Sequence, residues 1–486
     1  MKSLTVRLVV LPLAALLGFL VLPAAATAAV EPGDTEIEAR WVSLQGSARD
    51  LGAKLAPPKN NPYDVPGGRA QEFANGSIFW SEATGAWDVR GPVLARYLAA
   101  GGPGGTLVFP TAAPVTLATG GEQQVFTGGR IYSSDSTGAH AVQGAVLAKY
   151  LSAGGPTGTL QLPTADETAV AGGTRTVFQG GHIYRSAAGS FVVRGSILRT
   201  YLAVGGSSGA LGLPTSDQLP RALPGSLVST FAGGRIYWSS PTGARAVFGA
   251  ILKRYLQIGA ERSYLGLPTT SEYAVTGGRR SRFTGGYLTY YPGKPVVVTG
   301  YWRPSVLRVT AAEMPYTYRS GCPVGPTGLR RVKMPYYDWA GVPQIGNIVL
   351  RTSAADDMQR VFYKAFRAKF PIRKMRLVDV YKGSDITSME ADNTSAFNCR
   401  KVTGNPYRLS QHSYGHAIDI NPVENPYVTA SHVYPSGSET YLNRRNVRKG
   451  MIVSSGVLAK AMRTEGWPWG ARWSHPDYQH FSANGG

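Results

Sequence analysis

The sequence predicts a multidomain α+β protein. Five β-hairpin-and-helix units, closed into a propeller-like ring or run out as an open solenoid, precede one small α+β domain. Three observations predict it. A phenylalanine before a Gly-rich turn recurs at Phe73, Phe126, Phe178, Phe231 and Phe283, in steps of 53, 52, 53 and 52 residues. A helical phrase follows the first four of these. After Tyr290 the period stops, and five of the seven histidines gather in the last 75 residues. A chain of 486 residues with 43% apolar side chains is too apolar for disorder and has room for about two to four domains. Its 60 glycines and 33 prolines exceed average usage but stay below low-complexity levels, so they mark repeated turns.

The chain opens with Lys2 and Arg7, then a 15-residue apolar run from Leu8 to Leu22, then Pro23 and the small residues Ala24 to Ala29. This three-part pattern predicts a secretory signal peptide over residues 1–28. The run is shorter than the ~20 residues a spanning helix needs, and no later segment is apolar enough to span. Removing the signal takes the net charge from +21 to +19. A strongly basic exported protein suits a polyanionic cell wall and not nucleic acid. Cys322 and Cys399, an even pair in an exported chain, predict one disulfide.

The repeats come next. After each phenylalanine stands a variant of one phrase: ANGSIFW, TGGRIYS, QGGHIYR, AGGRIYW, TGGYLTY. Apolar residues alternating around a Gly turn predict a β-hairpin. The helical phrases VRGPVLARYL, VQGAVLAKYL, VRGSILRTYL and VFGAILKRYL carry Tyr97, Tyr150, Tyr201 and Tyr255, with apolar residues on one helical stripe. A third phrase closes the unit: LVFPT, LQLPT, LGLPT and LGLPT, with Pro110, Pro163, Pro214 and Pro268. Upstream, Trp41 stands 56 residues before Tyr97 and Leu51 stands 56 before Leu107, so the array opens on half a unit. It closes on the other half, because no helix follows Phe283. Complementary halves at the two ends predict ring closure; an open solenoid is the alternative.

These units resemble the LGFP repeat family of actinobacterial exported proteins over about residues 35–295. The match is strongest at Leu211-Gly212-Leu213-Pro214, at Leu265-Gly266-Leu267-Pro268 and from Gly233 to Ser239. Val108 and Gln161 replace the glycine of that phrase, and Ala53-Lys54 replaces its end in the first half-unit. The resemblance implies attachment to cell-envelope glycan such as arabinogalactan. Tyr237 and Trp238 are candidates to stack on sugar rings, or core residues.

Residues 291–295, Tyr-Pro-Gly-Lys-Pro, predict a linker. The domain of residues 300–486 carries +12 of the charge. One helix is predicted there, with Ser353 as N-cap, an apolar stripe of Met358, Val361, Phe362, Ala365, Phe366 and Phe370, and Pro371 as its end. Clustered histidines near aspartates in an exported domain point to a metal site. In SQHSYGHAIDINP, alternation around Ala417 to Ile420 places Asp419 on a strand that returns toward His412 after a turn at Gly415. In HPDYQHFS, Asp477 and His480 are three apart, a spacing that sets a base beside a ligand.

These residues resemble the M15 family of zinc peptidases, which includes D-Ala-D-Ala carboxypeptidases and L-alanyl-D-glutamate endolysins. The family pattern S-x-H-x-x-G-x-A-x-D, followed by [ED]-x-x-H, is met by Ser410, His412, Gly415, Ala417 and Asp419, then Asp477 and His480. The resemblance covers about residues 320–483. It implies that His412, Asp419 and His480 bind zinc, that Asp477 is the general base, and that Arg400, beside Cys399, stabilises charge on the carbonyl oxygen. His416 is expected outside the ligand set, His475 at the cleft or the surface, and Trp467, Trp469 and Trp473 in the core or the cleft wall. The implied protein is a secreted, cell-wall-associated monomer that hydrolyses peptidoglycan stem peptides. Cutting at D-Ala-D-Ala and cutting at L-Ala-D-Glu both remain open. The alternative is an envelope-anchoring, glycan-binding protein with an inactive peptidase-like domain.

Overall fold

The computed structural model describes residues 31–57, 59–402 and 405–485. The predicted signal peptide lies outside the described residues. The chain forms two compact units, one ending at Gln143 and one beginning at Gly144.

In the first unit a helix, Asp34–Leu44, precedes a four-stranded antiparallel meander of Tyr63–Val65, Gly68–Phe73, Gly76–Ser81 and Gly85–Arg90. The helix Gly91–Ala99 and a second meander ending at Gln143 come after it. The predicted hairpin is therefore the centre of a larger sheet. Its outer strands escaped the sequence reading because they are short or lack the repeated phrase. Tyr97 joins one repeat to the next: its ring meets Phe79 of its own sheet at 5.0 Å and Phe126 of the next at 4.8 Å. Leu51 and Phe73 are buried with Ile37, and Lys54 bridges Phe73 as Pro110 bridges Phe126. The opening half-unit thus keeps the backbone pairing although its Phe-Pro is gone.

The second unit begins with the helix Gly144–Ser152 and contains three more meanders, with the helices Gly195–Ala203 and Gly249–Gln257 between them. Tyr201 meets Tyr184 at 5.4 Å and Phe231 at 4.7 Å; Tyr255 meets Tyr237 at 5.6 Å and Phe283 at 4.6 Å. Tyr237 is a core residue and offers no face to a sugar, while Trp238, on the opposite face of the strand, is partly buried against a neighbouring core cluster.

Sheet pairing among the described residues offers no ring closure. Each of the five sheets is built from four consecutive strands, and the last is completed by Val297–Gly300 rather than by a strand from the chain's start. Residues 291–296 are accordingly a turn within that sheet and not a linker, since Pro292 and Gly293 suit a tight turn as well as a domain boundary. Gly300 then donates its N–H to the Tyr337 hydroxyl at 3.0 Å, and Trp302 packs on Phe366 at 5.5 Å, so the last sheet is fastened to the C-terminal region.

Each helix tyrosine hydroxyl also donates to a carbonyl eleven residues on. Tyr201 and Tyr255 reach Gly212 and Gly266 at 2.9 and 2.6 Å, while Tyr97 and Tyr150 reach Val108 and Gln161. That backbone position is left-handed in all four repeats, with φ of 61° at Val108, 57° at Gln161, 63° at Gly212 and 64° at Gly266. A side chain there costs about 1–2 kcal/mol. Val108→Gly and Gln161→Gly should therefore each raise stability by about 1 kcal/mol, with Val108 gaining more because it is β-branched. Urea melts of the two variants check this.

In the C-terminal region, Ser305–Arg308, Leu329–Tyr337 and Pro343–Arg351 form an antiparallel sheet. The helix Ala355–Arg367 packs its Met358, Val361, Phe362 and Ala365 against Val332, Met334, Ile348 and Leu350. The helix begins one residue later than predicted. Ser353 lies in a preceding 3-10 turn and does not cap it; its hydroxyl faces His416 instead. Phe370 falls beyond the last turn but still packs on this core.

Beside this core, Glu424 is fully buried against Asp392, with the Arg373 guanidinium 3.3 Å away. Burial, then the Asp392 charge, push the Glu424 carboxyl from its ordinary 4.5 up to about 8, against the pull of Arg373. Burial raises Asp392 as well. Between these limits the folded protein holds a proton that the unfolded chain releases. The group's stabilisation is thus complete below pH 4.5 and is lost as pH rises through about 8. Glu424→Gln should remove this downward slope, which denaturant melts from pH 5 to 8 would show as a flatter profile.

Candidate metal centre

The site is built on two short strands. Ala417–Asp419 pairs antiparallel with His480–Ser482, and the register sets Ile418 opposite Phe481 and Asp419 opposite His480. Side chains alternate along a strand. Ile418 and Phe481 therefore enter the apolar core, while Asp419 and His480 share the other face. Directly opposed residues have Cβ atoms about 5 Å apart, so pairing alone brings the carboxylate to the imidazole.

His412 reaches them from a 3-10 turn, Gln411–Tyr414, whose N-cap Ser410 accepts from the His412 N–H. The chain reverses at Gly415, with φ of 67°. A Cβ there would stand 2.7 Å from the Arg351 nitrogen, so the turn needs glycine on two grounds. The three side chains are almost wholly enclosed, at 3% exposure for His412, 4% for Asp419 and 6% for His480. His412 Nε2 lies 3.1 Å from Asp419 Oδ2, and His480 Nδ1 lies 2.9 Å from Asp419 Oδ1. The two ring nitrogens face each other at 3.3 Å. His412 Nδ1 donates to the Ala396 carbonyl, which turns the Nε2 lone pair toward the cluster.

Burial opposes charge on Asp419, but His412 and then His480 outweigh it and hold its carboxyl well below the usual carboxylate range. Burial likewise opposes protonation of His412, and the Asp419 charge reverses that balance upward. Two imidazole nitrogens and a carboxylate in mutual contact favour a proton or a metal cation among them. All donor atoms lie within 4.8 Å of one another. Three N/O ligands with an outer hydrogen bond fixing one tautomer fit a catalytic zinc, which keeps a further position open. His480 Nε2 is buried with no hydrogen-bond partner among the described residues.

A cleft of about 280 Å³ opens over the cluster, lined among others by Asp385, Arg400, Tyr427, Trp473 and Asp477. Asp477 has one carboxyl oxygen buried without a partner among the described residues. Burial first, then the Asp419 charge, push its carboxyl up to about 7, against the pull of His480. Such a group is suited to accept and return a proton near neutrality. Arg400 lines the same cleft, and Cys399 beside it is joined to Cys322.

Of the other sequence candidates, His475 lines the cleft, whereas His416 bonds the Ser353 hydroxyl at 3.1 Å and stands apart from the cluster. Trp467 is core and donates to Asp357 at 3.1 Å; Trp469 stacks on Phe481; Trp473 forms cleft wall 5.3 Å from His480. Asn421 and Asn425 serve the scaffold: both amides donate to the Gly450 carbonyl and hold the chain leaving Asp419. Asp385, Met389 and Gln479 line the cleft and were missed, because Asp385 and Met389 are distant in sequence from the motif and Gln479 is polar without a pattern.

Two family models match parts of the chain. A family model described as D-alanyl-D-alanine carboxypeptidase matches residues 403–483, and the LGFP repeat model matches residues 55–105, 107–158, 160–209 and 211–263. The chain carries LGFP repeats and a C-terminal peptidase domain. The four matched windows each hold one meander and the helix after it. The fifth meander has no such helix and falls outside them. No curated protein matches the chain. Among solved structures, the extracellular domain of the one-component system BT4673 from B. thetaiotaomicron is 12% identical with a TM-score of 0.12, covering 61% of this chain and 35% of that one. The extracellular domain of a hybrid two-component system BT4673 is 10% identical at 0.13, covering 63% and 36%. The chain spans about a third of the length of these structures, and so low a likeness carries no argument about the peptidase domain.

Proposed function

We propose that the protein is an exported zinc peptidase that hydrolyses peptidoglycan stem peptides, held at the cell envelope by glycan-binding repeats. The observation that carries the reading is the convergence of His412, Asp419 and His480 beneath a cleft that also holds Asp477. His412 Nε2, the Asp419 carboxylate and His480 Nδ1 would hold the metal. When bound, zinc acidifies a water and polarises the scissile carbonyl. Asp477 removes a proton from the attacking water and returns it to the leaving amine, so that the C–N bond breaks with no net proton change. Arg400 offers positive charge to the carbonyl oxygen as it becomes negative. The walls of the cleft, Trp473 and Tyr427, limit water around the reacting groups. The +12 charge of residues 300–486 suits a carboxylate-bearing wall peptide.

Digestion of defined muropeptides by the full chain tests this. Mass spectrometry should show zinc-dependent loss of terminal D-Ala or a cut between L-Ala and D-Glu, and the products decide which. Intact muropeptides at full zinc loading would end the proposal. Sedimentation of the Asp477→Ala protein with purified envelope glycan tests the repeats separately.

A further inference from the structure

We infer that Asp385 is a positioning residue for this peptidase, acting through Arg400; the inference rests on the functional reading above. Asp385 is the first residue of a short helix, Asp385–Glu390, capped by Ser384. It lines the cleft, and its Oδ2 pairs with Arg400 Nη2 at 2.7 Å, with the two side chains 13% and 18% exposed.

The backbone of Arg400 is held on several sides. Its N–H donates to the Ser413 hydroxyl at 3.0 Å, and that hydroxyl donates back to the Arg400 carbonyl at 2.9 Å. The same carbonyl accepts the Ser410 N–H at 3.0 Å. Cys399, just before it, is tied to Cys322. Ser410 and Ser413 flank His412, so the backbone that carries the arginine is held by the backbone that carries a proposed metal ligand. These contacts fix where the arginine starts. They do not fix where its long, flexible side chain ends.

At the far end the guanidinium meets Asp385 and, through Nη1, the Lys401 carbonyl. A partly enclosed arginine–carboxylate pair is directional as well as attractive. Asp385 thereby sets the direction of the guanidinium over the cleft and stops it from swinging to solvent. The remaining cleft-lining cation of this segment, Arg408, is exposed and lacks such a partner carboxylate among the described residues. The geometry therefore singles out Arg400 as the ordered cation and Asp385 as the group that orders it.

A double-mutant cycle tests this on the full chain. Asp385→Asn keeps the shape, Asp385→Ala removes the group, and each is made in wild type and in Arg400→Ala. Kinetics on a muropeptide, bound zinc and thermal melting are read for all. Removing an orienting partner costs about 10–100-fold in activity. In wild type, Asp385→Ala should lower kcat by about that factor with KM and zinc content nearly unchanged. In the Arg400→Ala background it should change kcat less than about twofold. Equal losses in both backgrounds, or loss of zinc in Asp385→Asn with melting unchanged, would overturn the inference. A wild-type protein that cuts no muropeptide sinks the functional reading and the inference with it, an outcome distinct from a failed cycle in an active enzyme.

Discussion

Replacing Asp477 by alanine should lower kcat about 10²–10⁴-fold while bound zinc stays at the wild-type level, since general-base contributions are of that size. The carboxyl is pressed by burial and by the Asp419 charge, which keeps it ready to take a proton at neutral pH. One of its oxygens is enclosed with no donor among the described residues. A water drawn into the cleft would supply that donor. Asp477 is not one of the three converging ligands, so its removal should leave metal binding intact. Asp477→Asn should be as inactive as alanine, because the amide keeps the shape and loses the basicity. Steady-state hydrolysis of a defined muropeptide, with zinc measured on the same sample, separates these roles. Retained activity would remove Asp477 from the mechanism, and lost zinc would make it a ligand.

His480→Ala should abolish both metal binding and activity, and it should also weaken the metal-free fold. Asp419 is a buried carboxylate held between two imidazoles. Removing one imidazole leaves a buried charge short of a partner, and breaking such a pair costs about 3–5 kcal/mol. The neighbouring Phe481 belongs to the core, so the loss is felt beyond the cleft. Zinc should raise the melting temperature of the wild-type protein and leave His480→Ala unmoved, because a ligand stabilises only the state that binds it. Full activity in His480→Ala would end the assignment of the centre.

Much of the site was legible because its spacing is local. His412, Gly415 and Asp419 lie within one turn and one strand, and Asp477 and His480 within a second short segment. The two segments are joined by strand pairing, with Asp419 opposite His480, and pairing between distant segments leaves no local trace. Asp385 was invisible for the same reason. It stands fifteen residues before Arg400 on a helix without a motif, and only folding makes them neighbours.

The repeat was legible as a period, and its tyrosines and phenylalanines are the residues that hold successive sheets together. The outer strands, the turn at residues 291–296 and the manner in which the array ends were not. Half a unit at each end is equally compatible with a ring and with two finished ends, because hydrogen-bond partners at a sheet edge are chosen by proximity and not by sequence. The structure completes the last sheet with Val297–Gly300 and fastens it to Tyr337. By itself the sequence determined the repeat period, the motif and the residue types able to hold a metal. Tertiary structure decided which carboxylates became buried: burial and the Asp419 charge push Asp477 up, while His412 and His480 hold Asp419 down against its burial, and these neighbours depend on the whole fold.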